Sequence, residues 1–147
     1  MRVVLDSNVL FSALISPVGA PDKIYRAWRE SRFELITSKV QLDELRRVSR
    51  YPKFKQLLSP HRIGTMINDL HRAIVLELMP EDPPLIELLD PNDAFLYSMA
   101  IAGKVNYLVT GDRRAGLLEL GNAGKARIVT PSDFCNVVLK IRSPLSP

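Results

Sequence analysis

Apolar residues gather in five short runs along the chain: "RVVL" (2 to 5), "FELIT" (33 to 37), "AIVLEL" (73 to 78), "NYLVT" (106 to 110) and "ARIVT" (126 to 130). β-branched residues and leucine dominate them, and each is short enough for a buried strand. Between them lie stretches with helical spacing: 8 to 15, 21 to 31, 39 to 50, 61 to 72, 93 to 103 and 132 to 141. Strands alternating with helices predict an α/β domain built on a mostly parallel sheet covered on both faces. In such sheets ligands sit beyond the carboxyl ends of the strands.

Gly103 and Pro52 read as helix stop signals. The segment 80 to 91, "PEDPPLIELLDP", carries four prolines and four acids and is expected to begin extended on the surface. A chain of 147 residues suits one domain, expected over 1 to 142, with 143 to 147 as a flexible tail.

Composition places the chain among ordinary globular proteins, with 46% hydrophobic and 24% charged residues. No apolar run approaches the roughly 18 residues of a spanning helix. The strand pattern begins within two residues of the N-terminus, so no signal peptide is expected and the expected location is the cytoplasm. The lone cysteine, Cys135, has no partner for an internal disulfide and is expected in the core. The net charge is +4, but residues 23 to 72 hold 12 Lys/Arg against 5 Asp/Glu, whereas residues 76 to 93 hold six acids and no base. The basic half could attract phosphates or an acidic partner, or supply solvated helix faces.

Four acids bear on chemistry. Asp6 ends the first apolar run, where it can cap the following helix or face a ligand at the sheet edge. Glu44 shares a helix with Asp43, but their neighbours differ. Asp43 has Lys39 and Arg47 four residues to either side, and Glu44 has Val40 and Val48. Asp43 is thus expected in solvent, and Glu44 is expected to interrupt an apolar stripe, where a carboxylate must be paired, protonated or bound to a cation. Asp93 follows Asp90 and Pro91 as the acid of a helix start, a capping arrangement in its own right. Asp112 follows "YLVTG" and repeats the strand-then-acid pattern of Asp6, with capping again the alternative. Together the four acids are expected at the edge where an α/β fold binds ligands. Clustered carboxylates repel unless a cation neutralises them, and hard oxygen ligands without His or Cys suit Mg²⁺ or Mn²⁺.

The stretches "VVLDSNVLFSAL", "SKVQLDELRRV" and "DPNDAFLYSMAIAGKVNYLVTGD" resemble the PIN domain. More narrowly, they resemble the VapC-like toxin components of bacterial and archaeal toxin–antitoxin systems, over Met1 to about Phe134. The resemblance implies an Mg²⁺- or Mn²⁺-dependent endoribonuclease whose catalytic and metal-holding acids are Asp6, Glu44, Asp93 and Asp112. In-line attack would leave a 5′-phosphate and a 3′-hydroxyl. Asn8 and Thr110 are implied as hydrogen bonders behind the ligands, with Asp90 as an extra acid. Arg113, Arg114 and Arg47 are candidate contacts to the RNA backbone, against the reading that they are plain surface charges. Tyr25, Trp28 and Tyr51 could stack bases, although aromatics at helical spacing are usually core, and His61 and His71 lack a metal-ligand spacing. An antitoxin protein and a homodimer are implied as partners, and no membrane.

Two rivals remain at this point. One is a catalytically weak PIN-type module that binds RNA or protein. The other is a haloacid-dehalogenase-type phosphatase, disfavoured because Asn8 stands where that family wants a second Asp.

Overall fold

The computed structural model describes residues 1–77, 91–111 and 116–141. In chain order the elements are β1 (Arg2–Leu5), α1 (Ser7–Ile15), α2 (Ala20–Arg29), β2 (Glu34–Ser38), α3 (Lys39–Ser49), α4 (Pro52–Leu57), α5 (Pro60–Leu70) and β3 (Ile74–Leu76). Then come α6 (Pro91–Ala102), β4 (Tyr107–Val109), α7 (Leu117–Leu120), β5 (Asn122–Ala123), β6 (Ala126–Val129) and α8 (Pro131–Asp133). The strands form one sheet in the order β3-β2-β1-β4-β6-β5. All described pairings are parallel except that of β5 with β6. The α/β expectation with a mostly parallel sheet holds.

Strand alternation divides the core between the two faces. Val3 and Leu5 point into a cluster with Leu10, Ile24, Leu45 and Phe134, on the side of α1, α2, α3 and α5. Val4 points the other way, into a cluster with Ile36, Leu96, Met99 and Leu108, on the side of α6. Both faces of β1 are therefore dry, which is why "VVL" is a continuous apolar run rather than an alternating one. Cys135 is buried in the first cluster, as expected, and its thiol reaches the carbonyl of Ala20 at 3.4 Å.

Several elements depart from the expected pattern. Pro52 does not merely stop α3: it is the first-turn proline of α4, a helix that buries no residue and so leaves no apolar periodicity to read. Helix α7 and strand β5 are four and two residues long, too short for a period to register. The expected C-terminal helix is a single turn followed by a π turn over Phe134–Val138, closed by the Leu139 amide on the Phe134 carbonyl at 2.9 Å. That wider turn brings both Phe134 and Leu139 inward. Gly103 follows α6 as expected, but the left-handed residue is Lys104, with φ 49°. What Gly103 supplies is room: a Cβ there would stand 2.7 Å from Ile36 Cγ2.

No helix among the described residues is long and apolar enough to cross a membrane. The expected tail, 143 to 147, lies outside the described residues.

Candidate active site at the carboxyl edge of the sheet

Register places the polar residues. Leu5 of β1 pairs with Val109 of β4, and Val4 pairs with Ile36 of β2. One step beyond the first pair, Asp6 and Thr110 leave their strands, and Ser38, the last residue of β2 and two steps beyond Ile36, is level with Asp6 at the same edge. Residues that were strand interior one position earlier become the rim of the sheet. The Asp6 amide extends the ladder to the Val109 carbonyl at 2.9 Å, so the backbone that carries the carboxylate is held by the sheet itself.

Asp6 is both a helix cap and a candidate ligand. It is the N-cap of α1, where its Oδ1 accepts from the backbone amide of Asn8 at 3.1 Å. Its Oδ2 accepts from the Thr110 hydroxyl at 2.8 Å. Both residues are buried, with Asp6 at 1% exposure and Thr110 at 0%. The Asn8 side chain itself is exposed, and its described contact with Asp6 is made through the main chain.

Asp93 lies in the first turn of α6 and is 1% exposed. The other end of that helix is located by Arg2, at the start of β1, which donates to the Gly103 carbonyl at 3.4 Å. Helix α6 thus runs antiparallel to β1, and its first turn reaches the carboxyl edge.

Glu44 comes from α3. The buried side of that helix is Gln41, Leu42, Leu45 and Ser49, whereas Val40 is exposed. The apolar stripe is therefore rotated from the one expected, and Glu44 sits half-buried at its margin. Its Oε2 accepts from the Ser7 hydroxyl at 3.4 Å. Burial holds its carboxyl pKa above the ordinary glutamate value; the Ser7 hydrogen bond opposes this, the nearby Asp6 charge adds to it, and Arg47 opposes it. Asp43 is exposed as expected, but its ion pair is with Arg46 at 3.4 Å. Arg47 is exposed one turn beyond Glu44.

The structure therefore brings Asp6, Glu44 and Thr110 together and puts Asp93 at the same edge. Asp112, Asp90, Arg113 and Arg114 lie outside the described residues. Among the described residues no three His, Cys, Asp or Glu side chains are gathered closely enough to enclose a metal ion. The donor chemistry still fits a hard divalent cation: the acids offer oxygen only, two are buried, and the Asp6 charge works against ionisation of Glu44.

Sequence reasoning overlooked the residues that tie Glu44 down. Ser38 caps α3 and accepts from the Gln41 amide at 3.0 Å, one half of an S-x-x-Q capping box visible in "SKVQ". The other half is diverted, because the Gln41 side chain turns into the protein and bonds Thr37, Leu5 and Ser7. The aromatic candidates divide between core and surface. Tyr25 and Trp28 pack against the core, and Tyr51 is exposed. Tyr25 donates to Asp69 at 2.5 Å, linking α2 to α5.

A family model described as PIN domain matches residues 2–114. Among solved structures, the crystal structure of VapBC2 from Rickettsia felis bound to a DNA fragment from their promoter contains a chain of like fold. The likeness covers 88% of this chain and 98% of that one, with a TM-score of 0.58 at 17% identity. No curated protein matches.

Proposed function

The chain belongs to the PIN domain family, and on that premise we propose that it is a divalent-metal-dependent endoribonuclease and the toxin of a toxin–antitoxin pair. PIN domains are generally nucleases that use divalent ions. The observation that carries the reading is the approach of Asp6 and Glu44, two acids from different elements, at the edge where Asp93 also arrives. A fold gathers like charges at a cost, and a hard cation offsets it.

Asp6 and Asp93 would hold Mg²⁺ or Mn²⁺, and Glu44 and Asp112 would hold a second ion or orient water, with Asp90 in reserve. What such an ion would supply there is acidification of a bound water and neutralisation of charge on the scissile phosphate. The chain's own groups do the rest. Thr110 and the Asn8 amide fix both oxygens of Asp6, so the carboxylate arrives oriented. Glu44, with its raised pKa, is the group at this edge suited to take up a proton from attacking water. Arg47, Arg113 and Arg114 would draw the RNA backbone towards an edge that is otherwise acidic.

The toxin part of the reading takes its support from the like-folded VapBC2. An antitoxin protein is the proposed partner, a homodimer the proposed assembly and the cytoplasm the proposed location. The test is cleavage of defined RNAs by the purified chain in Mg²⁺ or Mn²⁺. The reading expects cleavage with 5′-phosphate ends that chelator abolishes. RNA binding without metal-dependent cleavage would instead support a binding module.

A further inference from the structure

The Gln41 carboxamide is 1% exposed and sits between the ends of β1 and β2 and the first turn of α1. Its Oε1 accepts from the Thr37 hydroxyl at 2.6 Å, and its Nε2 lies 2.8 Å from the Leu5 carbonyl and 3.3 Å from Ser7 Oγ. The Leu5 carbonyl can only accept, so it fixes which end of the amide faces it: the NH₂. The same NH₂ then donates its second hydrogen to Ser7. A hydroxyl has one hydrogen, and with a donor already at its oxygen Ser7 is left to donate to Glu44 Oε2, 3.4 Å away. Each bond sets the polarity of the next, from a strand carbonyl to a candidate ligand. A buried amide held on both ends cannot flip without leaving partners unsatisfied, which makes the chain of polarity costly to reverse.

We propose that Gln41 is a positioning residue, which through Ser7 holds the Glu44 carboxylate oriented and ready to bind a cation. Its consequence for metal affinity rests on the metal-dependent reading above; its consequence for the Glu44 side chain does not. Glutamine at this place otherwise reads as half of a capping box, but the capping contact uses only its main chain. The side chain is available for another task, and its hydrogen bonds to the Leu5 carbonyl and the Ser7 hydroxyl lead to Glu44.

Two variants test this. Gln41→Met keeps the side-chain length and removes both ends of the amide; Ser7→Ala removes the hydroxyl link and leaves Gln41 in place. Crystal structures of the metal-free chains should show the Glu44 carboxylate moved from its parent position in both variants. Should Gln41→Met fail to fold, Ser7→Ala alone decides the link to Glu44. The second measurement is Mn²⁺ affinity, followed by the spin-resonance signal of the free ion. Each single variant should bind roughly tenfold more weakly, and the double variant no more weakly than Ser7→Ala, because both changes break one path. An unmoved Glu44 in either folded variant overturns the proposal, and so do losses of affinity that multiply in the double variant. If the parent chain binds no Mn²⁺, the metal-dependent reading fails, and the crystals still decide whether Gln41 positions Glu44.

Discussion

The Thr110 hydroxyl donates to Asp6 Oδ2 at 2.8 Å, joining the residues that follow two adjacent parallel strands. The bond lies wholly out of solvent, and its acceptor is a carboxylate, which puts it in the stronger class of protein hydrogen bonds. Thr110→Val preserves shape and removes the donor. Urea denaturation should show a loss of about 1.5 to 3 kcal/mol, and Thr110→Ser should recover much of it. Equal stability of the valine and parent chains would show that the bond contributes nothing.

Glu44 gives a pH dependence of the opposite sense to the usual carboxylate. Its folded pKa is raised, chiefly by burial, so the folded state binds the proton more tightly than the unfolded chain. The associated stability is present below the unfolded carboxylate pKa and is lost as pH rises through the folded one. Glu44→Gln removes the ionised form. The metal-free variant should therefore melt slightly above the parent at neutral pH, with the gap closing near pH 4, although cleavage is lost. The half-exposed position keeps the shift small. A variant that melts below the parent at neutral pH contradicts this sign.

Gly103 and the residue after it have separate tasks. Gly103→Ala drives a methyl into Ile36, a core side chain at 0% exposure, and also 3.0 Å from the Met99 carbonyl. Chemical denaturation should show a loss of about 1 to 3 kcal/mol, in the range of overpacked cores. Lys104 instead adopts the left-handed conformation that glycine accepts more easily. Lys104→Gly is expected to raise stability by up to about 1 kcal/mol. If Lys104→Gly destabilises as much as Gly103→Ala, the division of labour is wrong.

These positions show how far the sequence could be read. The strands were legible because β1, β2 and β4 bury apolar residues on both faces, and Asp6 stood out because it ends such a run. Helix α4 was not legible, since none of its residues is fully buried and only Phe54, stacked on Phe11, packs against the core, which leaves no stripe to read. The side of α3 was misjudged because Val40 looks like core in sequence and lies in solvent, whereas the buried place three residues before Glu44 belongs to a glutamine. A buried polar side chain has no periodic signature of its own. Only the meeting of Leu5, Ser7 and Thr37 around it makes Gln41 an interior residue. At Asp6 the cap occupies Oδ1 while Oδ2 accepts from Thr110, so capping does not by itself exclude the proposed ligand role.

The most direct test of the account is RNA cleavage by Asp6→Asn in Mn²⁺. Asparagine caps a helix as well as aspartate does, so the amide oxygen can still accept from the Asn8 main chain and the fold should melt near the parent temperature. What the substitution removes is the negative charge, together with the acceptor facing Thr110, whose hydroxyl would instead accept from the new NH₂. The account predicts that a folded Asp6→Asn chain cleaves at least about 100-fold more slowly than the parent. Cleavage at the parent rate by that folded variant would contradict it.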